Sequence, residues 1–372
     1  MKVGYVALVG RPNVGKSALL NALLGEKVAI ISDKPQTTRV SILGIKTADR
    51  GQIIFIDNPG IHKPLHTLNR RMMNFVYSSL STADLICLLI DASQKHGHGD
   101  EFVLETLRKV NTPLFLLINK VDIVKKDTIL PIIDRYKDLL PFREIIPISA
   151  LRGTNLDILE RKIFDVLPEA EKLYDDHMIT DQTLKFRLAE AIREKILKRV
   201  TKELPFVTAV FVDRIEERKP GEAGPTGGEG MDLAWEAPDE DDWEDDGEGP
   251  DDEVEAGPED EEAANRETVE PASPEIADLP EPDAESGAPA GPPPETGRRK
   301  LTYVAATIFV ERENHRVIIL GHHGQVIKEI GTEARREIES ILNSRVFLDL
   351  KIKVRHRWRD SAEVLDLIEG RK

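Results

Sequence analysis

The chain has one cysteine, Cys87, in 372 residues, so it can form no intrachain disulfide. That fits a reducing compartment, and the position of Cys87 inside the apolar run LICLLI predicts a buried structural thiol. An RNA-modifying enzyme would need a catalytic cysteine or a cofactor site elsewhere, and the position of the single cysteine argues against the first. No apolar run approaches the roughly 20 residues needed to cross a bilayer. The N-terminal residues run within a few positions into an apolar strand, so no signal peptide is expected and the expected location is cytoplasmic. Only one phosphate-loop motif is present, which argues against a chain with two nucleotide domains.

Basic residues are almost missing from one stretch. Residues 220–297 hold 28 Asp and Glu against a single Arg266, with 13 of the 23 prolines. Such a segment cannot bury enough apolar surface to offset chain entropy and is expected to be disordered. It also disguises the remainder. The whole chain has 51 basic and 67 acidic residues, a net of −16, but outside this stretch 50 basic residues face 39 acidic ones. The excess is concentrated in 180–219 and 298–372, with 26 basic and 18 acidic residues, where a polyanion partner would bind.

What is present is a set of four motifs. GRPNVGKS (10–17) has the G-x-x-x-x-G-K-S form of a phosphate-binding loop. Gly10, Asn13, Val14 and Gly15 shape it. Lys16 reaches the β/γ oxygens of a nucleoside triphosphate, and the Ser17 hydroxyl binds Mg²⁺. DNPG (57–60) supplies Asp57 to hold Mg²⁺ through water and the Gly60 N–H to sense a γ-phosphate. NKVD (119–122) decides the base. An Asp122 carboxylate accepts from both the ring N–H and the exocyclic amine of guanine, whereas adenine would leave it unpaired at a cost of about 1–3 kcal/mol or more. Asn119 and Lys120 complete the base site, with Ser149 and Ala150 of SAL supporting it through backbone contacts.

The motifs sit in a repeating pattern. VGYVALVG, QIIFID, DLICLLIDA, PLFLLINK and EIIPISA read as apolar strands, with helical stretches between most of them. A helix opens at about Gly15 and Gly25 is placed to stop it. SILGIKTADRGQIIFIDNPG reads as two strands joined by a tight turn. Near-continuous apolar strands with crossover helices imply an α/β domain with a mostly parallel sheet covered on both faces, ligands binding at the carboxyl ends of the strands. This domain is expected over residues 1–167, with a linker at 168–180.

The C-terminal part begins with a helix over about 182–200, whose apolar face carries Leu184, Leu188, Ala191, Ile192 and Ile196, with Lys185, Arg193, Lys198 and Arg199 mostly elsewhere. PFVTAVFVDRIEE and LTYVAATIFVERE read as strands, and SRVFLDLKIKVRHRW as a third with a partly basic outer face. Between them, Gly321-His322-His323-Gly324 stands after what reads as an apolar strand end and before an amphipathic helix that carries Lys328. A G-x-x-G turn at a helix start lets a single-stranded RNA backbone come close and offers N–H groups to its phosphates. A bare G-x-x-G is common; the frame of elements around it gives it weight. The order helix–strand–strand–helix–helix–strand is that of a prokaryotic-type (type II) KH domain, α+β in class, expected over 181–219 and 298–372 with 220–297 as an insertion.

These segments together resemble the bacterial Era GTPases. The resemblance rests also on KPQTTR (34–39), on DNPG followed by Ile61-His62-Lys63-Pro64, on REKIL and ELP in the C-terminal helix region, and on ILGHHGQVIKEIGTEAR (319–335). It covers essentially everything except 220–297. It implies a P-loop GTPase that hydrolyses GTP to GDP and phosphate with Mg²⁺. It also implies a monomer that binds the 3′ end of 16S ribosomal RNA through the KH domain, acts in assembly of the small (30S) subunit and associates peripherally with the inner membrane. A threonine of KPQTTR should complete the Mg²⁺ shell. Thr38 is the choice, although spacing alone does not separate it from Thr37.

Four features qualify this reading. The residue after DNPG is Ile61, where many small GTPases carry a water-orienting glutamine. Slow intrinsic turnover is expected, with a substitute supplied by RNA, a partner or a cation. Asn13 matches the asparagine that helps hold K⁺ in related GTPases. The sequence HGHGD (96–100) reads as a solvated loop rather than a metal site. His322 and His323 stand where relatives often carry lysine, which should weaken the phosphate contribution of that turn. Arg355–Arg359 with Trp358 could contact RNA and stack a base, or form a basic strand end with a packed Trp. A separate alternative is a hydrolytically weak GTP-binding switch or scaffold at the membrane, linked to cell-cycle control.

Overall fold

Strands whose residues are apolar on both faces can only lie in the middle of a covered sheet, and here they do. The computed structural model describes residues 1–200, 204–218 and 301–370; the stretch 220–297, expected to be disordered, lies outside the described residues. The first sheet has six strands: β1 (Lys2–Gly10), β2 (Ile42–Ala48), β3 (Gly51–Asp57), β4 (Leu85–Asp91), β5 (Leu114–Asn119) and β6 (Phe142–Pro147), in the order β2-β3-β1-β4-β5-β6. Every residue of β3, β4 and β5 is buried. The β2–β3 pair is the expected antiparallel hairpin, and all other pairs are parallel.

Five helices cover the sheet: α1 (Lys16–Leu24), α2 (Thr67–Thr82), α3 (His98–Leu107), α4 (Ile129–Tyr136) and α5 (Leu156–Val166). Alternation in β1 splits the core in two. Val6 and Leu8 pack with α1 and α5, and Ala7 and Val9 pack with α2, α3 and α4. Gly15 and Gly25 bound α1 as expected, both at positive φ. Cys87 is buried in β4, and burial pushes its thiol well above the ordinary range. The carboxyl ends of β1, β3, β4 and β5 are Gly10, Asp57, Asp91 and Asn119. One edge of the sheet therefore collects the motif residues.

The C-terminal part is α6 (Leu184–Arg199), a single turn α7 (Leu204–Val207), β7 (Ala209–Arg218), β8 (Leu301–Val310), α8 (Glu313–Leu320), α9 (Gln325–Leu342), β9 (Arg345–Val354) and α10 (Ala362–Ile368). The sheet order is β7-β8-β9, antiparallel then parallel. One core joins Leu188, Ile192 and Ile196 of α6 to Ile308 of β8 and to Ile330, Ala334 and Ile338 of α9. This is the type II KH arrangement.

Three expectations need correction. RVIIL before Gly321 is not a strand end but the last turns of α8. Only Ile319 of that helix is buried, while Val317 and Ile318 are exposed. A short apolar run does not reveal its period, so helix and strand look alike there. Leu184 is the first residue of α6 and is exposed, whereas Arg193, expected on a solvated face, is buried. The residues PFV form α7 rather than the start of a strand.

Trp358 is not a base-stacking residue. It is fully buried, with Leu68 and Met72 of α2, Ala209 of β7 and Val364 and Leu365 of α10 around it. Its Nε1–H donates to the Val207 carbonyl at 2.8 Å, and the Arg39 guanidinium lies 5.5 Å from the ring centre. Substituting Trp358→Phe keeps most of the packing but orphans that carbonyl. A loss of about 1–2 kcal/mol in chemical denaturation is expected, and an unchanged midpoint would contradict it.

Candidate nucleotide site and nucleic-acid interface

A cavity of about 510 Å³ opens at the carboxyl ends of the strands. It is lined by Asn13, Gly15, Lys16 and Ser17 of the phosphate loop, by 30–33 and 36–38 of the segment between α1 and β2, by Gly60, and by Asn119, Lys120, Asp122 and Ala150. Its volume lies within the range of small-molecule sites. The loop is tightly built. Gly15 has φ 98°, and a Cβ there would come 2.3 Å from Asn119 Nδ2. A Cβ on Gly60 would meet the Pro12 nitrogen at 2.6 Å. Two of the motifs thus touch the loop through glycine.

At the phosphate end, Ser17 Oγ donates to Asp57 Oδ2 at 2.6 Å and lies 2.9 Å from Thr38 Oγ1. Thr37 instead donates its hydroxyl to the Lys34 carbonyl at 2.6 Å. Of the two threonines, Thr38 is the one whose hydroxyl lies beside Ser17. Asp57 is fully buried, and burial raises its carboxyl to about 6 despite the nearby Lys16 charge. Its Oδ1 has no hydrogen-bond partner among the described residues. An orphaned buried carboxylate oxygen beside two hydroxyls is a set of hard oxygen donors that fits Mg²⁺. Lys16 Nζ donates to the Arg11 carbonyl at 2.9 Å, and burial lowers its amine to about 8.

At the base end, Asn119 ties the motifs together: Nδ2 donates to the Val14 carbonyl at 2.8 Å and Oδ1 accepts from the Ala150 N–H at 3.0 Å. Ser149 is buried, and its Oγ accepts from the Arg152 N–H at 3.0 Å. Lys120 Nζ pairs with Asp91 Oδ2 at 2.6 Å. Asp91 is a residue that motif reading missed; its only sequence signal is its place as the last residue of an apolar strand. Asp122 sits in a single 3₁₀ turn that carries it into the cavity.

Ile61 is 2% exposed and packs in the core beside α2 and α3, so its side chain faces away from the chemistry. Asn13 has φ 63° and donates Nδ2 to the Asp33 carbonyl at 2.6 Å. The HGHGD segment is structural. Asp100 Oδ2 accepts from the Gly97 N–H at 3.0 Å and pairs with Arg11 at 2.9 Å. Among the described residues no group of three or more His, Cys, Asp or Glu could hold a metal ion.

The second site is the turn before α9. Gly321 has φ 69°, and a Cβ there would lie 2.4 Å from Val326 Cγ2. Gly324, at φ 72°, caps the 18-residue α9, which has no acidic residue in its first turn. His322, His323 and Lys328 are exposed around this helix start. The positive end of a helix with a nearby lysine is a surface that favours an anion.

Residues 5–120 match the family described as "50S ribosome-binding GTPase", and residues 297–359 match the KH domain family. With the site just described, they define a guanine-nucleotide-binding P-loop GTPase domain joined to a KH domain. The crystal structure of Era in complex with MgGDPNP and nucleotides 1506–1542 of 16S ribosomal RNA is 36% identical, covering 99% of this chain and 98% of that one, with a TM-score of 0.75. A variant of Aquifex aeolicus Era bound to GDP and AlF4⁻ is also 36% identical over 99% of both chains, with a TM-score of 0.74. The chain belongs to the Era family of GTPases, and GTP hydrolysis is the activity expected of it.

Proposed function

We propose that this chain binds GTP with Mg²⁺, hydrolyses it slowly, and uses the nucleotide state to control binding of its KH domain to the 3′ end of 16S ribosomal RNA during small-subunit assembly. The observation that carries this is one cavity lined by Ser17, Thr38 and residues of the NKVD loop, with the buried Asp57 bonded to Ser17, in a chain matched end to end by an Era that was solved with that RNA. The name of the matched G-domain family mentions the large subunit, but it covers 5–120 alone, whereas the RNA-bound relative matches both domains.

Ser17, Thr38 and Asp57 would hold Mg²⁺, whose charge offsets that developing on the phosphates. Lys16 contacts the β/γ oxygens, and the Gly60 N–H meets the γ-phosphate. Asp122 reads the guanine edge while Lys120, held by Asp91, packs along the ring. Gly321, His322, His323, Gly324 and Lys328 contact the RNA backbone. Because Ile61 is committed to the core, no side chain at that position orients water, which accounts for slow turnover. Asn13 then helps hold a K⁺ ion as the substitute. No helix among the described residues is long and apolar enough to cross a membrane, so the contact with the inner membrane that the resemblance implies would be peripheral. The chain acts as a monomer.

The test is GTP turnover by the full chain with and without a 3′-terminal 16S RNA fragment, in K⁺ and in Na⁺. The RNA should raise turnover, and K⁺ should exceed Na⁺ by about tenfold, less than the hundredfold or more that one fixed donor contributes at a developing oxyanion. Equal rates in the two salts would remove the ion from the scheme. A fragment that neither binds nor stimulates would remove the RNA.

A further inference from the structure

Thr38 is anchored on both sides by the KH domain. Arg193, on α6, donates Nη2 to the carbonyl of Thr37. Arg39 sends Nη1 to the Thr208 carbonyl at 2.7 Å and Nη2 to the Pro205 carbonyl at 2.9 Å, in and after α7. So the residues before and after Thr38 are both held by the C-terminal domain, while the Thr38 hydroxyl lies against Ser17 in the nucleotide site.

Arg193 is itself locked. Its side chain is 3% exposed, and the Glu190 carboxylate accepts from Nε at 2.7 Å and from Nη2 at 2.6 Å. A forked pair of this kind fixes a guanidinium in one plane as well as one place. Thr37 C=O and Thr38 N belong to one planar peptide unit. Fixing that carbonyl therefore fixes the Thr38 nitrogen and constrains its Cα. The β-branched side chain at Thr38 then has few rotamers left. The next helix residue, Glu194, makes a longer 3.4 Å contact to the Ile31 N–H, at the other end of the same segment.

We infer that Arg193 is a positioning residue for GTP hydrolysis, supplied to the nucleotide site by the RNA-binding domain and acting through the Thr37–Thr38 peptide to set the Mg²⁺-binding hydroxyl of Thr38. This rests on the assignment of Ser17, Thr38 and Asp57 to Mg²⁺. It gives α6 a direct part in the reaction: any shift of the KH domain that moves Arg193 moves a ligand of the metal.

The experiment uses the full chain and steady-state hydrolysis titrated with Mg²⁺. Arg193→Gln should lower kcat about tenfold and raise the Mg²⁺ half-saturation about tenfold, the effect expected of a residue that orients a metal ligand. GDP affinity should stay within about twofold. Arg193→Lys keeps the charge and one donor and should recover part of the loss. In a Thr38→Ala background, Arg193→Gln should add less than about twofold, since the residue it acts through is gone. Equal losses in the two backgrounds, or an unmoved Mg²⁺ half-saturation, would overturn the inference. If Arg193→Gln does not fold, Glu190→Gln loosens the same guanidinium and must shift Mg²⁺ dependence in the same direction by about threefold; no shift overturns the inference as well. Failure of the underlying metal assignment has its own signature: Thr38→Ala alone would leave Mg²⁺ dependence unchanged.

Discussion

Replacing Asp122 with asparagine should lower GTP affinity by about a thousandfold and create affinity for xanthosine triphosphate. The guanine edge offers two donors, the ring N–H and the exocyclic amine, and a carboxylate accepts both. Asparagine keeps one acceptor but sets an N–H₂ group against the amine, so one bond is lost and two donors are left opposed. Sites built to hydrogen-bond one group discriminate against its absence by factors of 10⁴ or more, so a thousandfold is a conservative expectation. Xanthine carries a carbonyl in place of the amine, which restores a donor–acceptor match with the new amide.

The local structure supports such a clean exchange. Asp122 sits in a 3₁₀ turn whose backbone is fixed on both sides, by Val121 N–H to the Ile148 carbonyl at 3.3 Å and Ile123 N–H to the Lys120 carbonyl at 3.3 Å. Its neighbours Asn119 and Lys120 are held by other partners, Val14, Ala150 and Asp91. The isosteric change disturbs none of these contacts. Competition of labelled GDP by GTP, ATP and XTP would measure the exchange. A GTP affinity within tenfold of the unsubstituted chain, with no gain for XTP, would refute the role of Asp122.

The nucleotide site was legible because its chemistry is local. A phosphate-loop motif, DNPG with the carboxylate proposed for magnesium and NKVD with the one proposed for guanine are each written in four to eight consecutive residues, at ends of strands that an apolar pattern reveals. What was not legible depends on contacts far apart in the chain. Arg193 stands among charged residues on an amphipathic helix and reads as solvated. It is buried because α6 packs on its own sheet with one face and on the segment between α1 and β2 with another. Trp358 ends a basic run and resembles a nucleic-acid contact, yet α2, α10 and β7 close over it. Asp91 matters only because Lys120, 29 residues later, reaches it. The different surroundings of Thr37 and Thr38 depend on the path of the backbone, which carries one hydroxyl to Ser17 and the other back to Lys34.

The turn before α9 makes an equally direct expectation. The double substitution His322→Asp with His323→Asp should weaken RNA binding by about a hundredfold at 0.1 M salt while leaving stability and GTP binding unchanged. Both side chains are exposed, so the folded core does not register the change. What it does change is the field at the start of α9, where the first N–H groups and the positive end of an 18-residue helix lie. Two carboxylates there would repel phosphate and also compete for those N–H groups as internal caps. The opposite substitution, both histidines to lysine, adds two phosphate contacts. The slope of log K against log salt should then steepen by about 1.4, from about 0.7 for each added contact on a single strand. Salt titrations of the three proteins with one RNA give both numbers. If aspartates and lysines at these positions gave the same affinity and the same slope, the RNA backbone would not pass over this turn, and the basic excess of the domain would be acting elsewhere on its surface.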